Sequence, residues 1–334
     1  IMLQQTQVNT VRAYFLRFIK SFPTVAGLAA APEQEVLRHW EGLGYYRRAR
    51  QLHSAAKQIV EQHGGLFPRD PLQVLKLPGI GRYTAGAITS IAFDARQPIL
   101  EANTIRLFSR LLGYGGETNS RTGQELLWKF AEEVLSRTGS GELNQALMEL
   151  GSQVCTPRQP NCDVCPVMAL CPTQALGLVD SIPLVRKKPQ VTPLREAAIV
   201  IRRGNRVLLV QRGQTKRWAG LWDFPRFALH AESPAMIADE IAAQIANRCR
   251  LNIDWRQQLA TIKHGVTRFQ ITLEIHEAAI AKRANQRRQN DVILPPDNDP
   301  PYVEQRWLLP KELADYPLNT TGRKIARLIQ GAKR

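Results

Sequence analysis

No stretch of this 334-residue chain approaches the roughly 18 consecutive apolar residues of a membrane span, and no signal-peptide pattern opens it. Membrane-spanning and secreted classes are therefore disfavoured. Acidic residues are short: 29 Asp and Glu face 45 Lys and Arg, leaving a net charge of +16. The deficit runs through both halves, with net +6 over Ile1–Gln190 and +10 over Val191–Arg334. Both halves therefore suit one polyanion, with nucleic acid the first candidate. Internal repeats are missing as well. What is present, 44% hydrophobic residues, suffices for a packed core, excludes overall disorder, and at this length fits about two ordinary domains. The first residue is Ile1, not Met, inside an apolar helix-like run with no capping residue before it, which reads as an amino-terminal truncation.

Up to about Leu150 apolar residues recur at three-to-four spacing between Gly/Pro turns, the pattern of an all-helical domain. Val11, Phe15, Phe18 and Ile19 mark one predicted buried face; Leu107, Leu111 and Leu112 mark another. Asp180–Pro193 is a basic, Pro-punctuated linker. Beyond it the character turns α+β. Ala197–Ile201 and Arg206–Val210 predict strands joined by a hairpin turn at Arg203-Gly204-Asn205, and Thr267–Ile275 alternates like another strand. Met236–Ile245 and Gly322–Ile329 predict helices, and the polar, Pro-rich Ala281–Pro301 predicts a mobile loop.

Four of five cysteines fall within seventeen residues: Cys155, Cys162, Cys165 and Cys171. Thiolates this dense suit a tetrahedral metal or a cubane cluster, and a disulfide framework does not fit a basic chain of this size without a signal peptide. Only one close pair is present, flanked by two single residues, which favours [4Fe–4S] while zinc remains the rival. Cys249 stands alone as an ordinary thiol.

Leu77-Pro78-Gly79-Ile80-Gly81-Arg82-Tyr83-Thr84-Ala85 sits between helical stretches. As a bare pattern it is a tight interhelical turn. In so basic a chain its outward N–H groups at a helix start also suit a phosphate.

The segment LPGIGRYTAGAI resembles the helix-hairpin-helix of the DNA glycosylase superfamily, and C-x6-C-x2-C-x5-C is similar to the cluster signature of its endonuclease III branch. Met2–Val8, Glu41–His53 and Asn144–Cys155 resemble the adenine DNA glycosylases of that branch, and the second half is similar to their Nudix-like domain. The resemblance implies a multidomain fold: an all-α helix-hairpin-helix glycosylase domain over 1–179 with a [4Fe–4S] loop at 155–171, a linker over 180–193, and an α+β Nudix-like domain over 194–334. It implies excision of adenine paired with 8-oxoguanine or guanine, by an intracellular monomer acting on double-stranded DNA in the cytoplasm, on the nucleoid if bacterial, with no membrane partner.

It also implies roles. Gly79, Ile80, Gly81 and Arg82 would hold phosphate. Tyr83 stands where bifunctional lyases carry a Schiff-base Lys, so water is the expected nucleophile; a plain core aromatic is the alternative. The family's acid, a Glu, would precede Ile1, outside the chain as given. Glu101 aligns with the Asp that stabilises the oxocarbenium sugar, although it also suits a surface carboxylate, and Asn103 with the Asn that orients that Asp. Gln145 matches a position facing the flipped base. Gln5 and Tyr45 match residues that wedge into the duplex, with Thr6 and Leu43 beside them. In the second half Thr267 and Arg268 take the place of the Ser and His that read 8-oxoguanine, and Ala238–Gln244 lacks the paired Glu of a working Nudix box. With the acid absent and Glu replacing Asp, a non-catalytic lesion binder is a second expectation; an endonuclease III-type lyase is a third.

Overall fold

The computed structural model describes residues 1–184, 190–213, 217–281 and 302–331. Residues 282–301 of the expected mobile loop and 185–189 of the linker lie outside them. Helices fill the first half: α1 (Val8–Ser21), α2 (Val25–Ala30), α3 (Glu33–His39), α4 (Arg47–His63), α5 (Pro71–Leu75), α6 (Arg82–Phe93), α7 (Ala102–Leu111), α8 (Arg121–Glu133), α9 (Ser140–Glu149) and α10 (Pro172–Ala175). The second half runs β1 (Thr192–Arg203), β2 (Arg206–Gln211), β3 (Trp222–Asp223), β4 (Arg226–Ala228), α11 (Pro234–Cys249), β5 (Ile253–Val266), β6 (Phe269–Ile280), β7 (Glu304–Leu308) and α12 (Thr320–Gly331). Two compact units result: Ser54–Lys188 with Ile1, and Met2–His53 with Pro189–Arg334.

In the first unit, Leu107 and Phe108 of α7 join Leu100, Leu127, Ala131 and Cys155 in one apolar cluster, with Leu111 and Leu112 at its margin. Asp70 caps α5 through Leu72 N (3.1 Å), with Pro71 at the first helical position. That short helix ends at the hairpin. Helix α9 continues into a π-helical turn, Leu150–Val154, closed by a Cys155 N to Leu150 O bond of 2.7 Å, so the last helix delivers the first cysteine directly.

The second unit centres on a mixed sheet ordered β3-β2-β1-β6-β5, with β4 on β1 and β7 on β2. Strands β1 and β6 are parallel; the other pairs are antiparallel. Residues 197–201 of β1 are wholly buried. One face packs Ala197, Ile199 and Ile201 against Ile237, Ile241 and Ile245 of α11. The other packs Ala198 and Val200 with Ile325, Ala326 and Ile329 of α12. Helices on both faces explain why this strand is a continuous apolar run rather than an alternation.

Two local expectations change. Thr267 and Arg268 are the exposed tip of the β5–β6 hairpin, not the start of a strand, with Thr267 at φ +53°. On α1 only Val11 and Phe18 are buried; Phe15 is 51% and Ile19 44% exposed. At 3.6 residues per turn Val11 and Phe18 share one narrow stripe, which the Phe18 ring completes against Phe22 and Trp40, and the other two side chains lean off it. Among the described residues no helix is long and apolar enough to cross a membrane.

Candidate active site and nucleic-acid interface

The hairpin before α6 is built on Gly79, whose φ of +79° is left-handed territory that a side chain rarely occupies. Gly81, exposed, then begins α6 with extended backbone and no side-chain cap, so the first N–H groups of a twelve-residue helix meet no protein acceptor from the cap position. Uncapped N–H groups with the positive helix end suit a phosphate oxygen. Ile80 is half-buried beside them. Arg82 is exposed but occupied: its guanidinium lies 3.8 Å from the Trp128 ring centroid and 2.7 Å from Glu132. Such a surface pair is weakly held, so a phosphate can compete for the arginine.

Glu101 sits at the start of α7, where its Oε1 accepts from Asn103 N (2.9 Å) and Thr104 N (3.0 Å). Thr104 Oγ1 accepts in return from Glu101 N at 2.8 Å, completing a reciprocal cap. The carboxylate is therefore half-buried and fixed in direction rather than a free surface group. Asn103 Oδ1 accepts from Arg106 (3.0 Å), and the same guanidinium donates to Cys155 O at 2.7 Å and to Gly151 O. Tyr83, half-buried on α6, donates its hydroxyl to Met148 Sδ at 3.7 Å. Burial, followed by the Glu101 charge, raises its phenol above the usual range, so it stays a neutral donor. Gln145 is exposed on α9 and donates to Gly141 O (3.3 Å); its neighbour Asn144 is the buried one, bonded to Ser90 and Gln97 O.

The residues expected to wedge into the duplex lie in the second unit. Gln5 and Tyr45 are exposed, and both hold left-handed backbone, at φ +57° and +46°. Leu43 is buried and Thr6 half-buried, so these two are less available for contact than Gln5 and Tyr45. Residue Arg48 binds them together. It donates to Met2 O (2.8 Å), Gln4 O, Thr6 Oγ1 (3.0 Å) and Leu43 O (3.4 Å) while lying 5.6 Å from the Tyr45 ring centroid. The sequence segment Tyr45-Tyr46-Arg47-Arg48 looks like a surface of rings and charge, yet Tyr46 and Arg48 face inward. Arg48→Met is expected to destabilise the protein by roughly 2–3 kcal/mol, because it strands several carbonyls in a closed site. Urea denaturation checks this, and a loss below about 0.5 kcal/mol would contradict it.

Cys155 is buried and Cys162, Cys165 and Cys171 are partly buried, all four unpaired by disulfides. All four line one cavity whose walls include Leu107, Leu111, Val154, Val167 and Met168. Among the described residues no three His, Cys, Asp or Glu side chains converge closely enough to hold a single metal ion. Four sulfurs lining one cavity suit a group bound by thiolates. Arg110 aims a charged N–H at Cys155 Sγ (3.2 Å) and anchors to Thr156 O, Val179 O and Ile182 O, all within 2.9 Å. Burial, followed by the neighbouring thiols, raises the Cys162 thiol above the usual range.

In the Nudix-like box the remaining glutamate is spent. Glu240 is buried and accepts from His230 N and Ala231 N, the latter at 2.7 Å, while Asp239 is exposed. Among the described residues no group of three or more such side chains is placed to hold a metal ion.

The chain is a DNA base-excision glycosylase of the helix-hairpin-helix class, as its similarity to known proteins shows. Residues 1–133 match the HhH-GPD superfamily base excision DNA repair proteins, 155–171 the iron-sulfur binding domain of endonuclease III, and 197–328 the NUDIX domain. The chain is similar to the adenine DNA glycosylase of Mus musculus, 32% identical across 99% of this chain and 70% of that protein. It is likewise similar to that of Homo sapiens, 31% identical across 99% and 67%, and to that of Buchnera aphidicola (strain Bp), 35% identical across 68% and 64%. The chain belongs to the adenine DNA glycosylase family. It accordingly carries a [4Fe–4S] cluster, and the matched cluster-binding segment 155–171 holds the four cysteines that line the cavity.

Proposed function

We propose that this protein removes adenine paired with 8-oxoguanine or guanine from double-stranded DNA, as a monofunctional hydrolase in base excision repair. The observation that carries the chemistry is Glu101, held by its cap and electrostatically coupled to the neutral Tyr83. As the C1′–N9 bond breaks, adenine takes up a proton from solvent and leaves while the sugar develops positive charge; the water that then adds to C1′ returns a proton to solvent. Glu101 is the anion that faces that charge, Asn103 keeps the helix start in place, and water adds to C1′. Tyr83 offers no amine, so no Schiff base forms there. Bound to Cys155, Cys162, Cys165 and Cys171, the cluster would act as a staple that orders the loop against α7.

Opposite-base recognition falls to the 194–334 domain. Thr267 and Arg268 are exposed at the hairpin tip, where a hydroxyl and a cation can meet an oxidised purine edge. The Glu240 bonds support a binding rather than a hydrolysing domain. Gln5 and Tyr45 hold open the duplex, and the Gly79–Arg82 turn holds phosphate. The enzyme works inside the cell, as a monomer on the duplex.

Single-turnover assays on an 8-oxoguanine:adenine duplex test this. Abasic product that breaks only after alkali, with nothing trapped by borohydride, is the expected result; spontaneous strand cleavage with a trapped adduct would refute it. Combining Thr267→Ala with Arg268→Ala is expected to reduce preference for 8-oxoguanine over guanine by about tenfold while non-specific binding persists. Unchanged preference would place recognition elsewhere.

A further inference from the structure

Residues 41–46, which carry the wedge, are fastened to the carboxy-terminal end of the sheet domain. The Glu41 carboxylate takes Arg323 of α12 in a two-pronged pair, Nε to Oε1 at 2.6 Å and Nη2 to Oε2 at 2.8 Å. Both side chains are less than a fifth exposed. Oε2 also accepts from Leu318 N at 3.2 Å, and Arg323 gives its other N–H groups to Leu313 O and Tyr316 O, each at 2.8 Å. Beside this pair the buried Tyr46 hydroxyl donates to Leu318 O (3.4 Å) and accepts from Gly42 N (3.2 Å). Gly42 has φ +98°, a backbone conformation that residues with a side chain rarely adopt. Further along, Gln34 donates to Gly220 O at 3.0 Å.

From Arg323 the path is continuous. Helix α12 buries Ile325, Ala326 and Ile329 in the same cluster as Ile271 and Leu273 of β6. Strand β6 begins one residue after Arg268. The recognition tip, β6, α12, the Arg323–Glu41 pair and the Tyr45 loop are therefore linked by packed or hydrogen-bonded contacts throughout.

We propose that the Glu41–Arg323 pair is a specificity-determining coupling that fixes the wedge loop relative to the recognition hairpin, so that contact with the opposite base and insertion at the target base occur together. This rests on the roles assigned above to Tyr45, Thr267 and Arg268. A purely stabilising anchor needs only apolar burial. A two-pronged pair with its remaining donors and acceptors satisfied fixes direction as well as distance, which is what transmission of position requires. Neither side chain touches DNA chemistry; both are positioning residues.

The test uses duplexes carrying 8-oxoguanine or guanine opposite 2′-fluoro-2′-deoxyadenosine, which resists excision, with 2-aminopurine beside it to report unstacking. Glu41→Gln and Arg323→Gln are each expected to cut the affinity preference for 8-oxoguanine by about tenfold and to weaken the unstacking signal. Arg323→Lys, which keeps the charge and the apolar stem but not the fork, is expected to share much of the loss and guards against misfolding. The decisive measurement is the cycle with Thr267→Ala. The fold-loss that Thr267→Ala causes in the wild-type background should shrink severalfold in the Glu41→Gln background, whereas a merely structural role gives independent, multiplicative losses. Full preference in the Glu41 and Arg323 variants, or independent losses in the cycle, overturns the coupling alone. A wild-type protein with no preference for 8-oxoguanine overturns the recognition assignment and this inference with it.

Discussion

Glu101→Gln is expected to lower the single-turnover excision rate by about 10²–10³-fold while duplex affinity stays within about threefold. The magnitude is that of deleting one preorganised electrostatic partner of a charge that develops only in the transition state. Gln is the informative replacement because a single oxygen, Oε1, accepts both bonds that hold the helix start, from Asn103 N and Thr104 N. The amide oxygen can keep that cap, so only the negative charge is lost. Glu101→Ala, by contrast, is expected to cost about 1 kcal/mol of stability through the lost cap, mixing two effects. Glu101→Asp restores the residue that the family resemblance expects, and shorter carboxylates cap helices well. It should therefore remain within roughly tenfold of wild type. A Glu101→Gln protein with undiminished rate would mean that another anion faces the sugar.

Short-range spacing made much of this molecule legible. The cysteine pattern needs only seventeen residues, the hairpin nine, and both lie where the structure puts a cavity and an uncapped helix start. The continuous apolar run of β1 and the missing glutamates near Glu240 are likewise local facts. What stayed hidden are arginines that act over long separations. Arg48 reaches back to Met2 and Thr6, Arg106 and Arg110 reach Cys155, and Arg323 reaches Glu41. Nothing in periodicity says which carbonyl or carboxylate a distant guanidinium will meet. In a chain with 45 basic residues each reads first as a DNA contact. The hairpin tip is hidden for a related reason: the alternation of β6 extends back through Thr267, and only the backbone reveals the turn.

Cys155→Ala is expected to have a larger effect on structure than any other single change in the helical unit. Purified anaerobically, the wild-type protein should be brown, with broad absorbance near ~400 nm and about four irons per chain. The variant should lose most of the iron, lose about tenfold or more in duplex affinity, and show fast amide exchange across 155–182. The reason is that the loop has little core of its own. Between Cys155 and Cys171 it forms only two short 3₁₀ turns, Cys162–Val164 and Met168–Leu170, while Val164 and Leu170 are 62% and 74% exposed. Without a cluster little offsets the entropy cost of closing such a loop, and structural metal sites commonly supply on the order of 10 kcal/mol for that purpose. Arg110 would suffer next, because two of its four partners, Cys155 Sγ and Thr156 O, belong to the freed loop while the guanidinium stays buried. Exchange in β1 and β6 should be unaffected, since their packing lies within the sheet unit. Retention of iron with protected amides would instead show that three sulfurs and the apolar cavity walls are enough to hold the group.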